Sequence, residues 1–355
     1  MKIIIVGGGA SGLTAALVIK KKHPDYQVTL IDKNNKLGKK LRATGNGKAN
    51  ICNKRKITNQ YFNMDRAIKL YQSIPVNKLI KFFNDNDIAT IDNDDYVYPY
   101  SESANMLTDT LINKGIKLGV KYLKETKALD YKNNILITDK GKFSFDKLII
   151  ASGLLSSPKL GADASFVINL SKHGYSINNI VPCNCPIKTK ESTKEVEGIR
   201  RKVNVKLIEN NKIYFDEDGE MIFKKDGLSG IVIYNASFAY MKYKLNNPSL
   251  NIDFLPNIKL INNNLNAYFH PDLVNYLKRF KNPKCVTYHI KGFYDANDSV
   301  ASIGGVALDN VDYNFKSKIE DNVYIIGEAL DQLGICGGYN LMWAFTSALK
   351  VSEIV

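Results

Sequence analysis

The hydrophobic pattern opens with a short continuous run. Lys2–Val6 reads KIIIV, apolar and β-branched, which predicts a buried parallel strand. Residues 13–20 (LTAALVIK) then predict a helix, and residues 28–31 (VTLI) a second buried strand. Ala67, Ile68 and Tyr71, and after them Val76, Leu79, Ile80 and Phe83, fall near helical spacing. They predict two helices within residues 65–85, divided at Pro75 because proline disrupts a helix interior. Residues 104–114 predict another helix. From 119 to 153 the pattern changes to strands, read as a meander that returns to a buried strand at 148–151. Residues 323–326 form one more buried run, and residues 337–350 predict a glycine-initiated helix.

Other segments lack that regularity. Residues 36–53 (KLGKKLRATGNGKANICN) are polar and glycine-rich and read as a loop that wraps a ligand. Residues 96–100 (YVYPY) read as an aromatic turn. Strand patterns at 203–207, 212–215, 221–224 and 250–254, with a helical piece at 265–281, set residues 187–300 apart. The predicted organisation is a discontinuous first domain, residues 1–186 and 301–355, interrupted by an inserted mainly-β domain, residues 187–300, that serves as a substrate or lid domain.

The chemistry begins where the first strand ends. Gly7, Gly9 and Gly12 stand at GxGxxG spacing between a strand and a helix. Gly7 permits the sharp turn, Gly9 lets a pyrophosphate approach the backbone, and Gly12 lets the helix lie close on the strand. The backbone of Ala10 and Ser11 then presents free N–H groups and a positive dipole end to phosphate. The second strand runs into Asp32, twenty residues beyond Gly12, placed to accept hydrogen bonds from a ribose diol. A second constellation lies near the end of the chain. There the strand at 323–326 stops at Gly327-Glu328, and Gly337-Gly338 starts a helix at Tyr339. A carboxylate at a strand end and a helix N-terminus suit a ribityl chain and an electron-rich ring edge.

Composition narrows the classes. A chain of 355 residues holds one large or two medium domains, and 45% hydrophobic with 24% charged residues is ordinary for a globular protein. No apolar run approaches the roughly 20 residues of a membrane span, and glycines interrupt the N-terminal run, so a cytoplasmic protein without a signal peptide is expected. Cys52, Cys183, Cys185, Cys285 and Cys336 form no CxxC pair, and the four histidines are scattered, so no metal site is expected. The net charge of +14 admits an anionic partner, but the basic residues are spread along a Lys-, Asn-, Ile- and Tyr-rich chain. A phosphate-rich cofactor already uses part of it, and nucleic acid is not the expected partner.

The chain resembles the BaiN-type (YhiN-type) flavoproteins, a group that includes bile-acid-type enoate reductases and aminoacetone oxidases. The likeness covers nearly the whole chain. It rests on GGGASG at 7–12, GKKLRATGNGKANICN at 38–53, VYPYSESA at 97–104 and IASGLLSSPKLGADA at 150–164. Further blocks are GEMIFKKDGLSG at 219–230, SIGGVAL at 302–308 and GEALDQLGICGGYNLMWA at 327–344. The resemblance implies an α/β, glutathione-reductase-like FAD-binding Rossmann domain with an inserted mainly-β domain carrying a short helical piece. It implies that the loop with Gly38, Lys40, Gly45, Asn46, Gly47 and Asn50 lies along FAD, with Lys33 near by. Ala128 would meet adenine. Ala151, Ser152 and Gly153 would line the sheet edge, and Gly327, Glu328, Gly337, Gly338, Tyr339 and Asn340 would sit at the ribityl and flavin end. The chain departs from the family pattern where Lys48 and Ala49 stand in Arg and Cys places, and where Lys224-Lys225 replace a Thr-His pair.

The expected activity is hydride transfer between FAD and a small organic substrate, with NAD(P)H as a transient donor, because only one dinucleotide fingerprint is present. Tyr339 and Arg42 are the candidates for acting beside the flavin, Tyr339 as a proton donor and Arg42 as an anion holder. Tyr98 and Tyr100 are candidates for the pocket wall. An oxygen-using amine oxidase, an FAD-dependent RNA-modifying enzyme and a non-catalytic flavin module remain alternatives.

Overall fold

The structure is a computed structural model that describes residues 1–355, the side chain of Asn263 excepted. It divides into two compact units, residues 1–181 with 301–355, and residues 182–300.

The first unit is built on a five-stranded parallel sheet. Its spatial order is Val323–Ile325, Lys147–Ile150, Lys2–Val6, Gln27–Ile31, Lys121–Leu123. Ile3, Ile5, Leu30, Leu148, Ile149 and Ile325 are fully buried, as strands covered on both faces require. Helix Ala10–Lys22 packs against helices Ala104–Leu118 and Tyr339–Ile354, so it is buried nearly all round and not amphipathic. The two helices predicted around Pro75 are Met64–Ser73 and Val76–Asn84. Helix Ala104–Leu118 runs four residues past its expected end and stops at Gly119, which takes the left-handed conformation (φ 92°).

Three expectations are corrected here. The predicted loop at 36–53 contains helix Lys39–Ala43, a tight turn at Thr44–Gly47 and strand Cys52–Asn53. The expected aromatic turn is strand Tyr96–Pro99, paired with both Cys52–Asn53 and Thr90–Asn93. Its true signal is alternation: Val97 and Pro99 are buried, while Tyr96 and Tyr98 on the other face are half-buried. Lys121–Leu123 is no part of the meander, which is confined to Ala128–Lys132, Ile135–Thr138 and Gly141–Ser144. It follows a helical crossover, so it returns parallel beside Gln27–Ile31.

The second unit is a closed six-stranded barrel. Its order is Ile187–Thr189, Gly227–Ser229, Lys212–Lys224, Arg200–Glu209, Ser249–Asp253, Cys285–Phe293. Lys212–Lys224 is one long strand where two short ones were expected. Strand Cys285–Phe293 and helix Ile231–Lys242 were not anticipated, and the expected helix at 265–281 is regular only over Pro271–Leu277. The helix at 231–242 escapes a periodicity reading because it is apolar on most sides. No helix of the described residues is long and apolar enough to cross a membrane.

The junction of sheet and first helix tolerates no side chain. A Cβ on Gly12 would lie 1.8 Å from the Gly7 carbonyl oxygen, and one on Gly7 (φ 107°) would lie 2.4 Å from the Ala151 oxygen. Gly12→Ala is therefore expected to destabilise the apoprotein by about 3 kcal/mol or more. Urea denaturation followed by far-UV circular dichroism measures this, and a loss below about 1 kcal/mol would contradict the packing described.

Candidate functional site

The C-terminal ends of the parallel strands gather the residues singled out in the sequence. Gly7 ends the first strand and donates its N–H to the Ile31 oxygen (2.8 Å), and Ala151 donates to the Val6 oxygen (2.8 Å). Gly327 (φ 67°) meets the first helix, because a Cβ there would stand 2.5 Å from Ser11 Oγ. Residues 11, 151 and 327 thus share one edge although the sequence spreads them over the whole chain.

Two long helices of the unit start at this edge, each after a glycine. Helices Met64–Ser73 and Ala104–Leu118 are capped by side chains, Asn63 accepting from the Arg66 N–H and Ser103 from the Met106 N–H. Ala10–Lys22 and Tyr339–Ile354 start after Gly9 and Gly338, and neither has a side-chain cap. Both helices turn a positive dipole end to this edge. Gly9 is the telling position. Unlike Gly7 and Gly12 it has an ordinary φ of −86°, and its Cβ position has nothing within 4 Å. The chain itself does not require glycine there.

Around this edge the polar groups hold one another. The Asp32 carboxylate accepts the N–H of Gly8 (2.6 Å) and of Asn34 (2.7 Å). Lys40 Nζ bonds Glu328 Oε2 (2.6 Å) and Ser156 Oγ. The second Glu328 oxygen accepts from Ser156 Oγ (2.9 Å) and the Ser302 N–H (3.2 Å). Asn50 carries its side-chain oxygen to the Gly338 N–H (3.3 Å), and its amide donates to the Cys52 and Val97 oxygens. Asn340 closes a loop by bonding both N–H and C=O of Gly334. The hydroxyls of Ser152 and Ser302 are buried with no hydrogen-bond partner among the described residues. Gly38 (φ 69°) donates to the Gly8 oxygen, and Gly45, Asn46 and Gly47 form a left-handed turn at the surface.

At the other end of the edge a cleft is lined by Val6, Gly7, Ile31, Asp32, Lys33, Ala128, Ser152 and Phe166, among others. It also holds Asp163, which sequence reasoning did not single out. Asp163 pairs with Lys33 (3.0 Å) and Lys127 (3.1 Å) and accepts from the Ser165 N–H (2.8 Å). Burial opposes its charge, but these partners outweigh burial and hold the carboxyl well below its usual range. Ser156, Ser302 and Asn34 were missed as well. Serines and an asparagine carry little sequence signal on their own, whereas Asp163 lies in a recognised block, GADA.

The two candidates for direct action are corrected. Tyr339 is only 2% exposed, its ring edge-on to Tyr61 (5.7 Å between centroids) and its carbonyl accepting from the Tyr61 hydroxyl (2.8 Å). The turn at Gly338 directs it into the core. The Arg42 guanidinium is spent on Leu37 O, Asn105 and Asp109, holding Asp109 below the usual carboxylate range. Both side chains are engaged within the protein, Tyr339 by packing and Arg42 by its hydrogen bonds. Burial pushes the Cys52 thiol up to about 12, so it is no thiolate nucleophile. No cluster of three His, Cys, Asp or Glu able to hold a metal exists among the described residues.

The residues present fit a dinucleotide: an open glycine, two uncapped helix starts, an acceptor at Asp32 and orphaned hydroxyls beside Glu328. Because Asp32 also ties Gly8 to Asn34, its removal would disturb the fold, and Gly9 gives the cleaner test. Gly9→Ala is expected to leave the apoprotein melting temperature unchanged. It should weaken FAD binding by about 1–3 kcal/mol, roughly 10- to 100-fold in Kd by calorimetry.

Asp163 generates a pH prediction. A carboxyl whose folded pKa is depressed stabilises fully above its unfolded value, near 4, and that contribution fades as pH falls toward the folded value. Asp163→Asn should therefore melt lower than wild type at pH 7, with the gap closing toward pH 2 in thermal scans.

Comparison with known proteins follows this geometry. The model of the family described as HI0933-like protein Rossmann domain matches residues 1–354. A 3-dehydro-bile acid delta(4,6)-reductase of Clostridium scindens is 26% identical over 98% of this chain and 97% of its own length. A ribosomal RNA dihydrouridine synthase of Haemophilus influenzae is 24% identical over 97% of this chain and 96% of its own. These relatives leave the expected exclusion of nucleic acid without support. Among solved structures, a 3-ketosteroid delta1-dehydrogenase from Sterolibacterium denitrificans superposes with TM-score 0.54 at 11% identity, covering 99% of this chain and 98% of that one. An E. coli quinol fumarate reductase chain gives 0.53 at 12%, covering 99% and 69%. These likenesses show a shared fold. The chain belongs to the HI0933-like Rossmann family of flavoproteins.

Proposed function

We propose that this flavoprotein is an FAD-dependent reductase that adds hydride to a C=C bond conjugated to a carbonyl. The observation that carries the cofactor assignment is Gly9, a glycine at a helix start whose Cβ position opens on empty space. The Gly7–Gly12 turn and the N–H groups of Ala10 and Ser11 would hold the pyrophosphate, and Asp32 the ribose diol. Ala128 and Phe166 would border adenine. Glu328 would exchange its bond to Lys40 for a ribityl hydroxyl. The N-terminal end of helix Tyr339–Ile354 would face the electron-rich edge of the ring. Bound FAD supplies the hydride chemistry. The chain's own part is to orient the ring, exclude water and supply a proton.

The substrate class is supported by what the two relatives' names have in common. A delta(4,6)-reductase of a 3-dehydro-bile acid and a dihydrouridine synthase both saturate a C=C bond in conjugation with a carbonyl. NAD(P)H is the proposed electron donor, docking transiently. The inserted barrel is proposed to carry substrate contacts. A small cyclic enone is favoured as substrate. RNA is the second reading, favoured by the +14 charge and the dihydrouridine synthase relatives.

An anaerobic visible spectrum of the holoprotein tests this. NADH or NADPH should bleach the flavin bands. Cyclohex-2-enone or a 4-en-3-one steroid should then restore them under nitrogen. Recovery with unmodified ribosomal RNA alone would select the RNA reading. Recovery only with oxygen, after reduction by an amine, would replace a reductase by an oxidase.

A further inference from the structure

A reduction of this kind needs a proton as well as a hydride, and Tyr339 is buried too deeply to supply one. We infer that Tyr96 is the proton donor, an assignment that rests on the reductase reading above.

Three observations place it. Tyr96 lies on strand Tyr96–Pro99 directly opposite Asn53, whose side-chain amide donates to the Gly337 oxygen (3.0 Å). Its ring edge comes within 3.1 Å of the Cβ position of Gly337, two residues before the start of helix Tyr339–Ile354. The phenol is therefore beside the helix end assigned to the flavin ring. Its hydroxyl has no hydrogen-bond partner among the described residues, and the residue is only half-buried. Most buried tyrosines of this unit are committed elsewhere: Tyr61 to Tyr71 and the Tyr339 carbonyl, Tyr131 and Tyr175 to Glu320.

The surroundings suit proton donation. The Arg55 guanidinium, paired with Asp95 (2.7 Å), stands over the Tyr96 ring at 5.9 Å, and the positive end of helix Tyr339–Ile354 lies near by. Tyr98, two residues on and on the same face, is the rival. Burial pushes its phenol up, so it holds its proton more tightly, and Lys48 and Glu102 are among its charged neighbours. Tyr100 is 68% exposed.

The step balances as follows. Bound FAD, reduced by NAD(P)H, would supply one hydride, which carries both electrons of the reduction, to the β-carbon of the enone. The C=C π pair moves toward the carbonyl, giving an enolate. The Tyr96 O–H bond breaks, its proton bonds to the α-carbon, and water returns a proton to the phenolate.

Tyr96→Phe in the holoenzyme tests this by separating the half-reactions. FAD content, melting temperature and the Kd of cyclohex-2-enone, read from perturbation of the oxidised flavin bands, should stay within about twofold. Bleaching by NAD(P)H should be unchanged. Anaerobic reoxidation by the enone should slow by about 100-fold or more and lose its alkaline pH limb. Reoxidation at the wild-type rate with the wild-type pH profile would overturn the assignment of Tyr96 alone. If wild-type reduced enzyme is reoxidised by no conjugated substrate, the reductase reading falls, and this one with it. If Tyr96→Phe loses FAD or enone binding instead, the residue is structural and the assignment is overturned.

Discussion

The whole first unit depends on how closely helix Ala10–Lys22 lies on the sheet. That distance is set by backbone touching backbone. Gly12 has the Gly7 carbonyl where a side chain would begin, and Gly7 has the Ala151 carbonyl in the same relation. Three elements, the first strand, the first helix and the strand ending at Ala151, are fixed by these contacts, and a fourth, the segment at Gly327, is brought against Ser11. Packing at this density transmits any added volume to all four, because interiors have little free space to absorb it. The same contacts turn the helix N-terminus toward the strand ends, so a requirement of packing also creates the polar edge.

That edge is held in readiness by pairing among its own charged groups. Lys40 and Glu328 lie 288 positions apart and share a bond, with Ser156 and the Ser302 N–H completing the set. Asp32 is tied to Gly8 and Asn34, and Asp163 to two lysines. A ligand entering here exchanges partners at Glu328 instead of meeting bare charges. This limits the desolvation cost of binding, because each group trades one hydrogen bond for another.

Much of this was legible in the sequence, and the reasons are local. Strand, glycine turn, helix and a closing acid obey short-range rules, so the opening unit reads directly. The buried strand at 147–150 and the final helix are long or apolar enough to stand out. The misreadings share one cause, pairing between distant segments. YVYPY resembles a turn until Cys52–Asn53 and Thr90–Asn93 pair on either side of it. The strand at 285–293 becomes recognisable only as the member that closes a barrel. The helix at 231–242 is apolar because it is buried, which erases its period.

The site divides along the same line. Glycines and an acid suited to a dinucleotide are marked by spacing, but a catalytic side chain is marked only by where it points. Tyr339 follows a glycine pair and looks available, yet Gly338 in the left-handed conformation directs its ring against Tyr61. Tyr96 looks like one tyrosine of three in a turn. Its orientation follows from the register, in which Val97 stands opposite Cys52 and both are fully buried. Adjacent strand residues face opposite ways, so the burial of Val97 turns Tyr96 outward. A one-residue slip would bury the phenol and expose the valine. The direction in which Tyr96 faces is therefore set by a two-residue strand, Cys52–Asn53, whose Asn53 amide also holds the Gly337 carbonyl.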